Sequence, residues 1–205
     1  MVQIAAIYGS PRCKGNTSTL LSLAVSGARE AGAEVTEIVL RDLKMSPCLE
    51  IYGCKKDGHC VIKDDFQDVE STLQRVDGLM LASPIFFYSV SAHTKILMDR
   101  CNSQWVKKYW IDKKPFGQKT YPRKGLFISV GSTRGKRLFE GALLSVKYFM
   151  DALDMELWNS LAVREIETQG QILEHPEHLE AARAAGKNLV AALTDQHAPS
   201  GARKE

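Results

Sequence analysis

The chain predicts a three-layer α/β fold, a doubly wound sheet of five mainly parallel strands with helices on both faces. Two observations carry that prediction. Five short apolar runs alternate with segments of helical spacing. The first three pieces also form one strand–helix–strand unit, whose right-handed crossover places its helix on a sheet face. At 205 residues the chain is one domain in size, taken as residues 1–195. Residues 196–205, with Pro199 and Gly201, read as a frayed tail.

In chain order, residues 2–8 are an apolar run closed by Gly9-Ser10-Pro11, a buried strand entering a turn. From Thr17, Leu20, Leu21, Leu23, Ala24 and Ala28 recur at helical spacing until Gly32. Residues 34–40 are a second strand. A cysteine-bearing loop runs over about 42–63, and Asp64-Asp65 can cap a helix through Leu73. Residues 78–82 form the third strand, interrupted by Ser83-Pro84, and 90–101 resume helical spacing. Residues 125–130 and 157–163 are the last strands; 139–153 and 179–193 are helices.

Composition narrows the function classes. With 44% hydrophobic and 25% charged residues the chain is globular rather than disordered. A net charge of +3 is too mild to imply nucleic acid. The basic stretch from Lys107 to Arg137 carries Tyr109, Trp110, Phe116 and Tyr121, and reads as a solvated, aromatic-anchored loop rather than a base-stacking platform. No apolar run approaches the roughly 20 residues that span a bilayer, and no basic flank or cleavage segment opens the chain, so the expectation is a cytoplasmic protein without a membrane partner. Five cysteines, an odd number, suit a reducing compartment.

Three loops at strand ends carry the chemistry. The segment from Gly9 to Thr19 offers hydroxyls, an amide, a guanidinium and helix N-terminal N–H groups, a setting that favours a phosphate. It lacks the Walker and dinucleotide glycine patterns, so a monophosphate ligand suits it better than ATP. Helix capping by Asn16, Thr17 or Ser18 is the plain alternative. The segment from Ser83 to Ser89 brings Phe86, Phe87 and Tyr88 to the same edge, where a planar ring needs an apolar wall. After the fourth strand comes Gly131-Ser132-Thr133-Arg134-Gly135. In such sheets ligands sit beyond the carboxyl ends of the strands.

The stretches GSPRCKGNTSTLL and SPIFFYSVSAHTKILMDR, in that order with the cysteine loop and Asp64-Asp65 between them, resemble the NAD(P)H-dependent FMN reductase superfamily of flavodoxin-like proteins, particularly its iron-sulfur flavoprotein branch. The resemblance covers roughly residues 2–160 and implies strand order 2-1-3-4-5. By matching motif, Ser10, Arg12, Asn16, Thr17 and Ser18 would hold the FMN phosphate. Pro84, Ile85, Phe86, Phe87 and Tyr88 would line the ring and ribityl chain, with Gly131 and Ser132 bordering the ring. Arg12 and Arg134 would complement phosphates. Tyr88 would either bond the ring or pack in the core. The flavin carries the redox chemistry, so no side chain is assigned a catalytic role.

Cys48, Cys54 and Cys60 stand at C-x5-C-x5-C, whereas the iron-sulfur flavoproteins carry C-x2-C-x2-C-x5-C. Laid on that motif the second position is Ile51, leaving three thiolates where a four-iron cluster ordinarily takes four. Two readings stay open, an iron-sulfur cluster on three thiolates and a vestigial or redox-active thiol loop. Cys101 reads as a buried small side chain. The histidines are scattered. A zinc site at His175 and His178, which flank Pro176-Glu177, would lack further ligands, and surface histidines are the better reading.

The function expected is an FMN-dependent oxidoreductase in which reduced NAD(P)H reduces bound FMN, which then reduces a quinone, free flavin, another small acceptor or a protein partner. The alternatives are a non-enzymatic electron carrier between proteins, against which the mildly basic charge argues, and a redox-sensing module acting through Cys54 and Cys60. The resemblance also implies a homodimer or homotetramer, with Trp105, Tyr109, Trp110 and Phe116 as a contact.

Overall fold

The computed structural model describes residues 1–117, 121 and 123–197; the expected tail beyond 197 lies outside the described residues. A single five-stranded parallel sheet has the order β2-β1-β3-β4-β5. Its strands are β1 Gln3–Tyr8, β2 Glu34–Val39, β3 Gly78–Pro84, β4 Arg123–Val130 and β5 Met155–Val163. The helices are α1 Asn16–Glu30, α2 Phe66–Arg75, α3 Ala92–Arg100, α4 Asn102–Val106, α5 Glu140–Ala152 and α6 Pro176–His197. No helix among the described residues is long and apolar enough to cross a membrane.

The central strands read as unbroken apolar runs because both their faces are covered. Alternate residues divide between two cores. Ile4 and Ala6 of β1, Met80 and Ala82 of β3, and Leu126 and Ile128 of β4 meet α1 and α6. Ala5, Ile7, Leu79, Leu81 and Phe127 meet the opposite side, with Phe66, Leu73, Leu97, Val146 and Met150 from the other helices. On the first side the two helices nearly touch. A β-carbon on Gly27 would stand 2.0 Å from the Arg183 carbonyl oxygen, and one on Gly186 would stand 1.9 Å from that of Ala24.

Several boundaries shift from expectation, each for a local reason. Helix α1 starts at Asn16, one residue early, with Gly15 as its N-cap and no side-chain cap, so the alternative in which Asn16, Thr17 or Ser18 caps the helix is not what the structure shows. Strand β3 runs through Ser83-Pro84 instead of stopping there. Proline lacks an N–H, but the next residue supplies one, since Ile85 N donates to the Val130 carbonyl at 3.0 Å. Strand β4 begins at Arg123 and β5 at Met155, earlier than the apolar pattern indicated. The Arg123 guanidinium bonds the Leu73 and Val76 carbonyls, and Lys124 pairs with Glu156 at 3.1 Å.

The aromatic stretch after α4 is anchored as expected, but from within. Tyr109 is buried, stacks on Phe116 at 4.3 Å and donates to Asp151 at 2.5 Å. Lys108, also buried, pairs with Asp151 and Asp154. Tyr109 is therefore withdrawn from any outside contact, while Trp110 and Phe116 remain exposed.

Candidate functional site

The carboxyl ends of β1, β3, β4 and β5 send four loops to one edge of the sheet, where they enclose a crevice of about 270 Å³. Ser10, Arg12, Asn16 and Thr17 border it from the first loop; Pro84, Ile85 and Phe86 from the second; Gly131 and Ser132 from the third. Nine of the twelve expected ligand-binding residues are thus brought together. The fourth loop adds Ile166 and Glu167.

The first loop is a tight turn over the start of α1. Gly9 leaves β1 where a β-carbon would lie 2.0 Å from Thr94 Oγ1, so only glycine passes. The Arg12 N–H donates to Ser10 Oγ at 3.1 Å, closing the turn. Ser10 and Thr17 are buried against the crevice, while Arg12 is exposed and has no ion-pair partner among the described residues. The first N–H groups of a helix lack intrahelical acceptors and sit at the positive end of its dipole. Buried hydroxyls, those N–H groups and a free guanidinium make a donor set suited to a phosphate monoester.

Asn16 has a different task from the one its position suggests. Its side-chain amide donates to the Thr168 carbonyl at 2.8 Å, and its oxygen accepts from Gly170 N at 2.9 Å and Ile172 N at 3.4 Å. The side chain therefore holds the fourth loop in place. Sequence reading missed that loop because Ile166 and Glu167 follow an edge strand and carry no motif; the one usable signal was that β5 also ends at this edge. Ser18 opens on a neighbouring groove with Cys13 and Lys14, on the far side of the turn.

The second loop is a two-residue hairpin. Phe86 and Ser89 exchange both backbone hydrogen bonds, at 2.9 and 3.0 Å, and the residues between them, Phe87 and Tyr88, have φ of 50° and 61°. Such turns prefer Asn-Gly, because a side chain in the left-handed region is strained. Phe87 is fully exposed and stands outside the crevice, and Tyr88 borders a separate groove with Lys136 and Arg137. Of the three aromatics expected at the wall, only Phe86 lines the crevice.

A buried hydroxyl chain ties the first two loops together. Ser91 Oγ donates to the Gly9 carbonyl at 2.5 Å and accepts from Thr94 N at 3.3 Å as the cap of α3. The Ser91 N–H donates to Ser83 Oγ at 2.9 Å.

The cysteine loop lies apart from the crevice, against α3 and α4, and a buried arginine organises it. The Arg100 guanidinium donates to Asp64 at 2.6 and 3.0 Å, to the Ser46 and Ile62 carbonyls, and through Nε to Cys60 Sγ at 3.2 Å. Burial pushes the Asp64 carboxyl up, but bonds from Arg100, Ser46 and Phe66 outweigh it and hold the group below its usual range. Burial, reinforced by the Cys60 and Cys48 sulfurs, raises the Cys54 thiol. Ile51 is exposed, and Cys101 is buried in the core as expected. The donor set is therefore three thiols. Three thiols are one short of the four that a four-thiolate cluster takes, so this set does not fit one.

The sequence profile described as NADPH-dependent FMN reductase matches residues 2–162. Among curated proteins, an iron-sulfur flavoprotein of Methanocaldococcus jannaschii is 39% identical over 99 residues, 48% of this chain and 51% of that protein. One of Archaeoglobus fulgidus is 37% identical over 131 residues, 64% of this chain and 63% of the relative. A putative NAD(P)H-dependent FMN-containing oxidoreductase of Bacillus subtilis is 26% identical over 135 residues, 66% of this chain and 70% of the relative. The chain spans about half of the first of these. Among solved structures, an NAD(P)H:quinone oxidoreductase from Methanothermobacter marburgensis has a TM-score of 0.67 at 18% identity, over 91% of this chain and 95% of that one. A flavone reductase has a TM-score of 0.67 at 20% identity, over 96% of this chain and 65% of that one. These structures share the fold.

Proposed function

Because the chain belongs to the NADPH-dependent FMN reductase family, we propose that it is an oxidoreductase that holds FMN in the four-loop crevice and passes reducing equivalents from NADPH or NADH to a quinone, free flavin or another small acceptor. One observation carries the reading. A phosphate-type donor set at the start of α1 and an apolar wall at Pro84, Ile85 and Phe86 face one crevice. The curated relatives' names, several of them flavoproteins, support it.

Bound flavin supplies the hydride and electron chemistry. The chain's own residues bind and orient. Ser10, Thr17, Arg12 and the α1 N-terminus take the phosphate, with Ser18 at the back of the turn. Pro84, Ile85 and Phe86 give the ring its apolar face, and Gly131 and Ser132 border its other side. Asn16 acts through the fourth loop. Phe87 and Tyr88 form an outer rim where the nicotinamide or the acceptor enters, and holding either one at near-attack distance from the bound cofactor would be the protein's contribution to rate. No cluster enters this reading, because Ile51 stands where the fourth thiolate would be. Self-association through the exposed Trp110 and Phe116 belongs to the proposal, and light scattering showing a concentration-independent monomer would remove it.

The test begins with anaerobic purification, flavin extraction, and assay of iron and acid-labile sulfide. The expected result is FMN without stoichiometric iron, and oxidation of NADPH or NADH that depends on added quinone or flavin. Arg12→Ala should weaken FMN binding about tenfold or more, the weight of a charge-assisted hydrogen bond. Protein that neither retains nor rebinds FMN would overturn the reading. FMN without nicotinamide turnover would favour an electron carrier.

A further inference from the structure

At the far end of the fourth loop lies a cluster that the flavin reading does not use. His175 immediately precedes α6, and its carbonyl accepts from the His178 and Leu179 N–H groups. This first turn brings His175, Glu177 and His178 together on one side, Glu177 being the residue that the sequence alone presents only as a spacer. Both imidazoles turn toward the same carboxylate oxygen. His175 Nδ1 is 3.3 Å from Glu177 Oε1, and His178 Nε2 is 3.8 Å from it. All three ligand atoms lie within 4.8 Å of one another. Metal–ligand bonds of about 2.1 Å in tetrahedral array put neighbouring ligand atoms about 3.4 Å apart, so these atoms need little movement to share one ion.

We propose that His175, Glu177 and His178 bind one divalent transition-metal ion of the zinc type, with water completing the shell. Two imidazoles and a carboxylate are a nitrogen-rich, borderline donor set, which selects zinc, cobalt, nickel or copper over calcium or magnesium. The three side chains are partly exposed, as a site open to solvent requires. The positive end of the α6 dipole opposes a cation here. Glu174, the residue before His175, adds negative charge against it; Glu174 lines a groove with Glu165 and Glu167, where Arg134 pairs with Glu165. An ion at this point would clamp the start of α6 to the Gln171–Glu174 turn, the turn that Asn16 bonds from the crevice side. The site is independent of the flavin reading.

Cobalt(II) is the probe, because its visible spectrum distinguishes imidazole and carboxylate from thiolate ligands. Chelator-stripped, reduced protein of residues 1–205 should take up cobalt with ligand-field bands and no sulfur-to-cobalt charge transfer, and zinc should displace it. With zinc, two of the five histidine ring signals should shift in NMR spectra. The His175→Gln/His178→Gln variant should bind one equivalent less while keeping the wild-type circular dichroism and FMN content, and Glu177→Gln should bind more weakly at unchanged fold. The proposal is overturned by equal uptake in the double variant, by bound cobalt showing only thiolate charge transfer, which would place it at Cys48, Cys54 and Cys60, or by no uptake at millimolar cobalt.

Discussion

Phe87 and Tyr88 show how a single residue's backbone reveals where stability has been spent. Each holds the left-handed conformation, at about 1–2 kcal/mol per residue for a bulky side chain. Phe87 is also fully exposed, which wastes its hydrophobic surface. Replacing the pair with Asn-Gly satisfies the turn, so Phe87→Asn/Tyr88→Gly should raise stability by about 1–2 kcal/mol in a denaturant melt. On the proposed function, the same variant should keep its FMN affinity and show a higher KM for the nicotinamide or the acceptor. Unchanged kinetics would leave the rim without a role. Asn16 teaches a complementary lesson: its place in a phosphate-type motif was legible in the sequence, yet its side chain is committed to residues more than 150 positions away.

At the scale of elements, the cysteine loop depends on one cation. Arg100 lies at the end of α3 with its side chain wholly buried and satisfied by a carboxylate, two carbonyls and a thiol. Arg100→Met leaves Asp64 without its partner and should cost about 3 kcal/mol, with limited proteolysis opening the chain between Pro47 and Lys63. The Asp64 carboxyl titrates lower in the folded chain than in the unfolded one, so its contribution is complete above about pH 4. It is lost as pH falls through the folded value, and proteolytic opening of the loop should follow that acid titration. The contact of α1 with α6 is the other sensitive junction. Gly186→Ala would drive a methyl into the Ala24 carbonyl, forcing the helices apart at about 1–3 kcal/mol, visible as a lower denaturation midpoint with an unchanged m-value.

Across the whole molecule, one sheet contributes to both cores and all four crevice loops grow from it. The described chain is accordingly proposed to unfold as one cooperative unit, residues 1–195 forming a single domain. Near-UV and far-UV circular dichroism should give coincident denaturation curves. Separate transitions would show that the cysteine loop and the aromatic segment after α4 form a unit of their own. A parallel sheet covered on both faces was legible beforehand because both-face burial writes unbroken apolar runs and crossovers are right-handed, while the strand order came from the family resemblance and matches the observed β2-β1-β3-β4-β5.

By itself the sequence determined the alternation of strands and helices, the family, and the three loops that reach one sheet edge, since periodicity and motif are local properties of the chain. Tertiary structure decided what those properties cannot encode. It turned Asn16 toward the fourth loop, brought Glu167 to the crevice and put Phe87 outside it. The physical reason is that a side chain's partner depends on which distant backbone group is left unpaired beside it, and only the packed sheet settles which groups those are.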